Sequence, residues 1–346
     1  MYLSDLTKTE LLNLLSEWGE PKFRAAQVYD WIIRGVRPAD MTNLPKPLRE
    51  KLAALPFGAV EIDQKLVSAR DGTQKYLFRL EDENLVEGVL MRYHYGNTVC
   101  ISTQVGCNMG CRFCASTLEG CVRNLRAGEM LGEVSAIERD EPHAAGTRAV
   151  TNIVLMGSGE PLDNYDNVVA FLHRVTAPDG MGVSARNISV STCGIVPKME
   201  RFMMDAPHVT LSVSLHAHNN AQRSEIMPVN RVYPIEDVLH AADQYAKKTG
   251  RRVVYEYALI DGVNASLSDA DALATLLRGQ LCHVNLIPLN PVKERGLSGV
   301  SRADAVKFME RLNERHISAT VRREMGTDID GACGQLRRRV IHEVRK

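Results

Sequence analysis

The sequence predicts an α/β fold, a parallel sheet curled into a partial (β/α)6 barrel (96–346) behind a small helical domain (1–55) and a short β meander (56–95). Three observations lead there. From Thr98 onward, six apolar, β-branched runs alternate with segments of helical period, the mark of a parallel sheet. Near residue 60 the hydrophobic period switches from that of a helix to that of a strand. The residues best suited to chemistry follow the ends of the later runs, where parallel strands present their ligand sites.

Each element has its own signal. Leu11, Leu12, Leu14 and Leu15 form one helical stripe, Gly19-Glu20-Pro21 breaks it, and Phe23, Gln27, Tyr29, Trp31 and Ile32 form a second that ends near Gly35. Val60 to Val67, Lys75 to Leu80 and Leu85 to Met91 read as meander strands, with a hairpin turn at Asp71-Gly72. The barrel strands are Thr98 to Thr103, Asn152 to Met156, Ile188 to Thr192, Thr210 to His216, Val253 to Ile260 and His283 to Leu289, with a short seventh near Ile317 to Arg322. Between them the clearest helix starts at Pro234, repeats Ile235, Val238, Leu239, Ala242 and Ala246, and stops before Gly250. No internal repeat or low-complexity tract interrupts the pattern.

At 346 residues and 45% hydrophobic, the chain has ample material for a core. No run of about eighteen apolar residues exists and the N-terminus lacks a basic segment followed by an apolar one, so a membrane span and a secretory leader are not expected. Eight cysteines, three clustered at ligand spacing, fit a reducing compartment, and a cytoplasmic location is expected. The 42 basic and 42 acidic residues balance, which is unlike a protein that grips nucleic acid through a basic body. Local excesses occur at Lys22 to Lys51 and at Arg337, Arg338, Arg339, Arg345 and Lys346, and solvated helix faces look much the same.

The densest chemical signal is Cys107, Cys111 and Cys114 in Gln104-Val-Gly-Cys-Asn-Met-Gly-Cys-Arg-Phe-Cys-Ala115. Three thiolates spaced CxxxCxxC can ligate three irons of a 4Fe-4S cluster and leave the fourth open. A structural zinc loop is the alternative, but a closed zinc site needs four ligands and no second CxxC or His pair lies nearby.

With Phe113 before its last cysteine, this motif resembles the signature of radical S-adenosylmethionine (SAM) enzymes. Further blocks resemble the RlmN family within that superfamily: Thr98 to Cys107, Met156-Gly-Ser-Gly-Glu-Pro-Leu162, Ser191 to Pro197, Ser214-Leu-His216, Val284 to Pro288 and Asp328-Ile-Asp-Gly-Ala-Cys-Gly-Gln-Leu336. The resemblance implies an enzyme that methylates C2 of an adenosine in 23S ribosomal RNA and in certain transfer RNAs. It implies a 4Fe-4S cluster on Cys107, Cys111 and Cys114, SAM held by Gly159, Glu160, Ser191, Ser214, Leu215, His216 and Asn290, and a one-electron donor such as flavodoxin or ferredoxin. The chain is expected to act as a monomer, with the N-terminal helices as an RNA platform.

The resemblance also assigns reactive residues. Cys333 would be the methyl carrier, Cys100 the thiol that resolves a protein–RNA adduct through a transient disulfide, and Glu87 the acceptor of the C2 proton. From composition alone the two cysteines read as small buried hydrophobes and Glu87 as an outward polar position on a strand. Cys121, Cys193 and Cys282 match no reactive role. The family commonly has Met at Ser158, Ser at Cys193 and Ala at Gly331, departures that remove no reactive group. A sister family methylating C8 shares the five reactive cysteines, and Pro161 and Pro288 resemble the C2 enzymes more. A non-catalytic iron–sulfur or zinc RNA-binding protein is the alternative from another class.

Overall fold

The computed structural model describes residues 1–144, 146–290, 295–329, 336–337 and 340. Helices α1 (Lys8–Glu17), α2 (Phe23–Ile33) and α3 (Lys46–Ala53) form the N-terminal unit. Thr7 opens α1 with a reciprocal capping box to Glu10. The third helix is absent from the sequence reading, although Leu48 and Leu52 stand one helical turn apart and both are buried.

Strands β1 (Val60–Val67), β2 (Gln74–Leu80) and β3 (Leu85–Tyr93) form the antiparallel meander. They do not stand apart from the barrel. β3 pairs antiparallel with β4 (Gly96–Cys100), which opens the parallel part of the same sheet. A ribbon of β5 (Gln104–Gly106) and β6 (Cys121–Asn124) follows, then α4 (Ala127–Asp140), β7 (Asn152–Leu155), α5 (Tyr165–Thr176), β8 (Ile188–Thr192), α6 (Val196–Asp205), β9 (Thr210–Ser214), α7 (Asn220–Ile226), α8 (Ile235–Thr249), β10 (Val253–Leu259), α9 (Leu267–Leu276), β11 (Cys282–Pro288), α10 (Arg302–Glu314) and β12 (Ala319–Val321). The ten-stranded order is β1-β2-β3-β4-β7-β8-β9-β10-β11-β12, so among the described residues β4 and β12 are not paired and the barrel is open between them.

Strand ends differ from the sequence reading by a residue or two, except after β4. There the chain leaves the ladder after Ile101, whose N–H still donates to the Val154 carbonyl (3.0 Å), because the Ser102 N–H donates to the Glu133 carboxylate (3.1 Å) and the Thr103 N–H to the Ser158 carbonyl (2.8 Å). α8 ends as its sequence requires, with Gly250 left-handed at φ 66°. The core runs without a break from Leu11 and Leu15 of the N-terminal unit through Met130 and Val134 of α4 to Val213 and Tyr257 in the barrel.

This continuity decides what a truncation can do. Deleting residues up to about Met91 would strip β4 of its partner and uncover a strand edge beside fully buried Val99 and Ile101. We expect insoluble protein without bound iron, measured as soluble yield and iron content. A soluble fragment with a full iron complement would show that the parallel strands stand alone.

Candidate active site

The cysteine loop hangs from the β5–β6 ribbon. Gly106, at φ 85°, lies so close to the opposite strand that a Cβ would stand 1.9 Å from the Gly120 carbonyl oxygen, so only glycine fits. The Cys107 N–H donates to the same carbonyl at 3.0 Å, and the Thr117 hydroxyl lies 3.0 Å from the carbonyls of both Cys111 and Cys114. Arg112 ties the loop to the end of α7 through an N–H bond to Ile226 (2.9 Å), and the Phe113 ring meets His216 edge-on at 4.7 Å.

Cys107, Cys111 and Cys114 all line one cavity of about 320 Å³. Burial pushes the Cys107 thiol up to about 12 and raises Cys111 as well, so these thiolates need a bound cation to persist. Among the described residues no three His, Cys, Asp or Glu side chains converge on a single ion position. A cubane asks for something else, one thiolate per iron, and three separate thiols on one cavity wall fit it.

The cavity floor is made by the carboxyl ends of the parallel strands. After β7, Gly159 adopts φ 109°, and a Cβ there would sit 2.7 Å from the Gln104 nitrogen. Its close approach is thus to the chain's own β4–β5 connection. Glu160 is buried and each carboxylate oxygen accepts one backbone N–H, from Leu162 (3.0 Å) and Cys193 (2.8 Å). Burial raises its pKa and these bonds oppose the rise. Ser191, Ser214, His216 and Asn290 also line the cavity. His216 holds a left-handed conformation (φ 55°), accepts the Ala258 N–H at Nδ1 (2.8 Å), and is pushed down to about 3 by burial, so it is a neutral ring with its proton on Nε2. Leu215 differs from its neighbours. Its side chain is in the hydrophobic core, and its backbone N–H donates to Glu256 while its carbonyl accepts from Arg223.

Arg223, fully buried on α7, was invisible as a site residue. Its guanidinium donates to the carbonyls of Cys193 (2.6 Å), Ser214 and Leu215 (both 3.1 Å) and to the Asn230 side chain (3.0 Å), stitching together the ends of β8 and β9. Glu256 was also missed. It lines the cavity from β10, accepts from Asn285 (2.8 Å), and burial raises its pKa. A carboxylate inside Val253-Val-Tyr-Glu-Tyr-Ala-Leu259 was the available signal, since a strand buried on both faces has no solvent side for it.

The opposite wall belongs to the meander. Cys100 lines the cavity and lies opposite Val89 of β3. Glu87 points to the same face as Val89 but does not line the cavity, being buried in an ion pair with Lys75 (3.2 Å). The expectation from bare strand alternation, an outward Glu87, therefore does not hold, because the C-terminal segment covers this face. Met325 packs with Val89, Met91 and Cys100, and Leu336 with Leu77 and Leu85, while the Arg337 N–H donates to Glu87 Oε1 at 2.5 Å. The segment is anchored at the β1–β2 turn, where Asp71 accepts from the Gly326 N–H (2.9 Å) and Asp328 from Ser68 (2.6 Å) and Ala69 (3.0 Å). Burial raises Asp71, but the bonds from Gly326, Thr73 and Ser68 prevail and hold it at about 2. Cys333 and Gly331 lie outside the described residues.

Comparison with known proteins decides the family. Residues 101–273 match the model of the radical SAM superfamily, and residues 1–56 match the ribosomal RNA large subunit methyltransferase N-terminal domain. A probable dual-specificity RNA methyltransferase RlmN of Lachnoclostridium phytofermentans is 53% identical, covering 96% of this chain and 93% of its own. A relative of the same name from Clostridium perfringens is 48% identical over 97% and 96%. The chain belongs to the RlmN family.

A radical SAM methyltransferase from Sphaerobacter thermophilus superposes with a TM-score of 0.91 at 46% identity, covering 97% of this chain and 98% of that one. Membership in the RlmN family makes the protein a radical SAM RNA methyltransferase whose cofactors are a 4Fe-4S cluster and SAM. Of the three positions that depart from the pattern the resemblance implies, Ser158 and Cys193 are among the described residues. Ser158 is buried, and its carbonyl receives the Thr103 and Gln104 N–H groups, while Cys193 is buried between Glu160 and Arg223. No helix among the described residues is long and apolar enough to cross a membrane.

Proposed function

We propose that this radical SAM RNA methyltransferase methylates C2 of an adenosine in 23S ribosomal RNA and of an adenine in transfer RNAs. Cys107, Cys111 and Cys114 would hold the three ligated irons, and Gly159, Glu160, Ser191, Ser214, His216 and Asn290, with the backbone of Leu215, would hold SAM. When bound, the cluster and SAM supply one-electron chemistry, which C2 requires because that carbon has no lone pair to attack a methyl cation.

The chain's own residues do the rest. Cys333 carries the methyl group to the base, Glu87 accepts the C2 proton, and the Cys100 thiolate attacks the Cys333 sulfur, so that a disulfide forms as the bond from that sulfur to the transferred carbon breaks and the carbon, keeping the electron pair, takes up a proton to leave as the product's methyl group. Lys75 fixes the Glu87 carboxylate in place. The observation that carries this reading is the meeting of two distant stretches on one sheet face. Arg337, four residues past Cys333, reaches Glu87 on the strand beside Cys100. Residues 1–55 serve as an accessory RNA platform, a role supported by the match of that segment to a methyltransferase N-terminal domain.

The test is to reconstitute the protein anaerobically with reductant and SAM, supply an RNA hairpin bearing the target adenosine, and map the methylated carbon. Methyl at C2 with formation of 5′-deoxyadenosine is expected. Methyl at C8, or RNA binding without 5′-deoxyadenosine, would overturn the reading.

A further inference from the structure

The β3–β4 hairpin carries an aromatic group that the scheme above does not use. Tyr93 and Tyr95 stack with centroids 5.0 Å apart and planes within 6°, and His94 meets Tyr95 edge-on at 5.1 Å. The Tyr93 hydroxyl is tethered to the Met91 sulfur at 3.6 Å, which holds the inner ring of the stack. Tyr95 nonetheless remains 62% exposed. Held by ring contacts to Tyr93 and His94, the side chain has already given up part of its freedom, which lowers the ordering cost of covering its open face.

Its place along β3 gives the stack meaning. Glu87, Val89, Met91 and Tyr93 alternate onto one face of the strand, and Val89 and Met91 line the cavity. Tyr93 packs against the buried cluster of Val89, Met91 and Cys100. The row therefore leads from the proposed proton acceptor past the cavity to the tyrosines, each step roughly 7 Å along the strand. The chain balances 42 basic against 42 acidic residues, so it cannot draw RNA in through bulk charge. Stacking on aromatic faces recognises splayed bases without charge.

We propose that Tyr95, backed by Tyr93, is the stacking platform for an unpaired nucleobase of the substrate RNA flanking the target adenosine, and so orients the strand that enters the cavity. This deepens the RNA methyltransferase reading and rests on it.

The experiment uses full-length, cluster-loaded protein and an RNA hairpin with the target adenosine in its loop, in versions where each flanking base in turn is replaced by an abasic ribose. Tyr95→Ala and Tyr95→Leu should each weaken RNA binding about tenfold, while Tyr95→Phe should stay within about twofold of wild type. One abasic position should weaken wild type about tenfold and leave Tyr95→Ala unaffected further, the signature of a shared contact. Equal affinity of Tyr95→Ala and wild type, or an abasic penalty that is the same in both at every position, overturns the platform. Loss in Tyr95→Phe as large as in Tyr95→Ala also overturns it, by placing the whole effect on the hydroxyl and none on the ring. Wild-type protein that binds none of the RNAs overturns the RNA reading itself, an outcome visible before any variant is compared.

Discussion

Replacing Cys107, Cys111 or Cys114 by alanine is expected to abolish both the iron complement and SAM cleavage. The three side chains line a single cavity, and the loop holding them is tied by Thr117, Gly120 and Ile226, so each thiolate has a fixed place that the rest of the loop does not move to refill. Of the other described cysteines, Cys100 and Cys121 stand equally near in sequence, but Cys100 is held in β4 between two strands and Cys121 belongs to β6, its N–H fixed by Asn108 at 2.8 Å. Wild-type protein purified without oxygen should hold about four irons per chain, with the broad brown absorption of thiolate-bound clusters. Each single variant should fall to background iron and produce no 5′-deoxyadenosine. A variant of each position that keeps both would remove the basis for radical chemistry here.

The second large effect separates Cys100 from Cys333 by the species each variant leaves behind. Cys333→Ala has no sulfur to carry a methyl group, so it should give neither methylated RNA nor a covalent adduct. Cys100→Ala retains the carrier and Glu87, so the base can still be joined to the protein, but no thiol attacks the carrier sulfur to release it. RNA should accumulate on the peptide containing Cys333, found by nuclease digestion and peptide mass spectrometry as a nucleotide attached through one carbon. Turnover should fall to background in both variants. The Cys100→Ala substitution removes one buried sulfur beside Val89, Met91 and Val154, so about 1 kcal/mol of lost packing is expected and the fold should survive it. An adduct in Cys333→Ala, or ordinary turnover in Cys100→Ala, would reverse or cancel these assignments.

How much of this was legible in the sequence varied with how local each determinant is. α8 was readable end to end because Pro234, a single apolar stripe and the left-handed Gly250 are all determinants within one segment. The end of β4 was not, because Ile101-Ser-Thr103 is as strand-like as what precedes it. What draws it off the sheet is Glu133, thirty-one residues on. The β5–β6 ribbon has strands of three and four residues, too short to show any period. The cluster cysteines and the residues after β7 to β9 could be found from spacing and resemblance. Arg223 could not, since an arginine on a short helix reads as surface until its carbonyl partners on β8 and β9 are in place. Glu87 was recognisable only by family pattern, for its burial depends on a C-terminal segment some 250 residues away.

β4 is the seam where antiparallel pairing on one side meets parallel pairing on the other, and Cys100 sits on it with Val89 and Val154 as its neighbours in the two ladders. A backbone held from both sides in the middle of a ten-stranded sheet is among the stiffest places a protein can put a thiol. Under the proposed scheme, all of the travel needed to bring two sulfurs together falls to the partner of Cys100. The position of that sulfur is set once, when the chain folds, and is not renegotiated in each cycle. Restoring the enzyme after a turnover is then a matter of delivering two electrons to one bond, with no strand to rebuild.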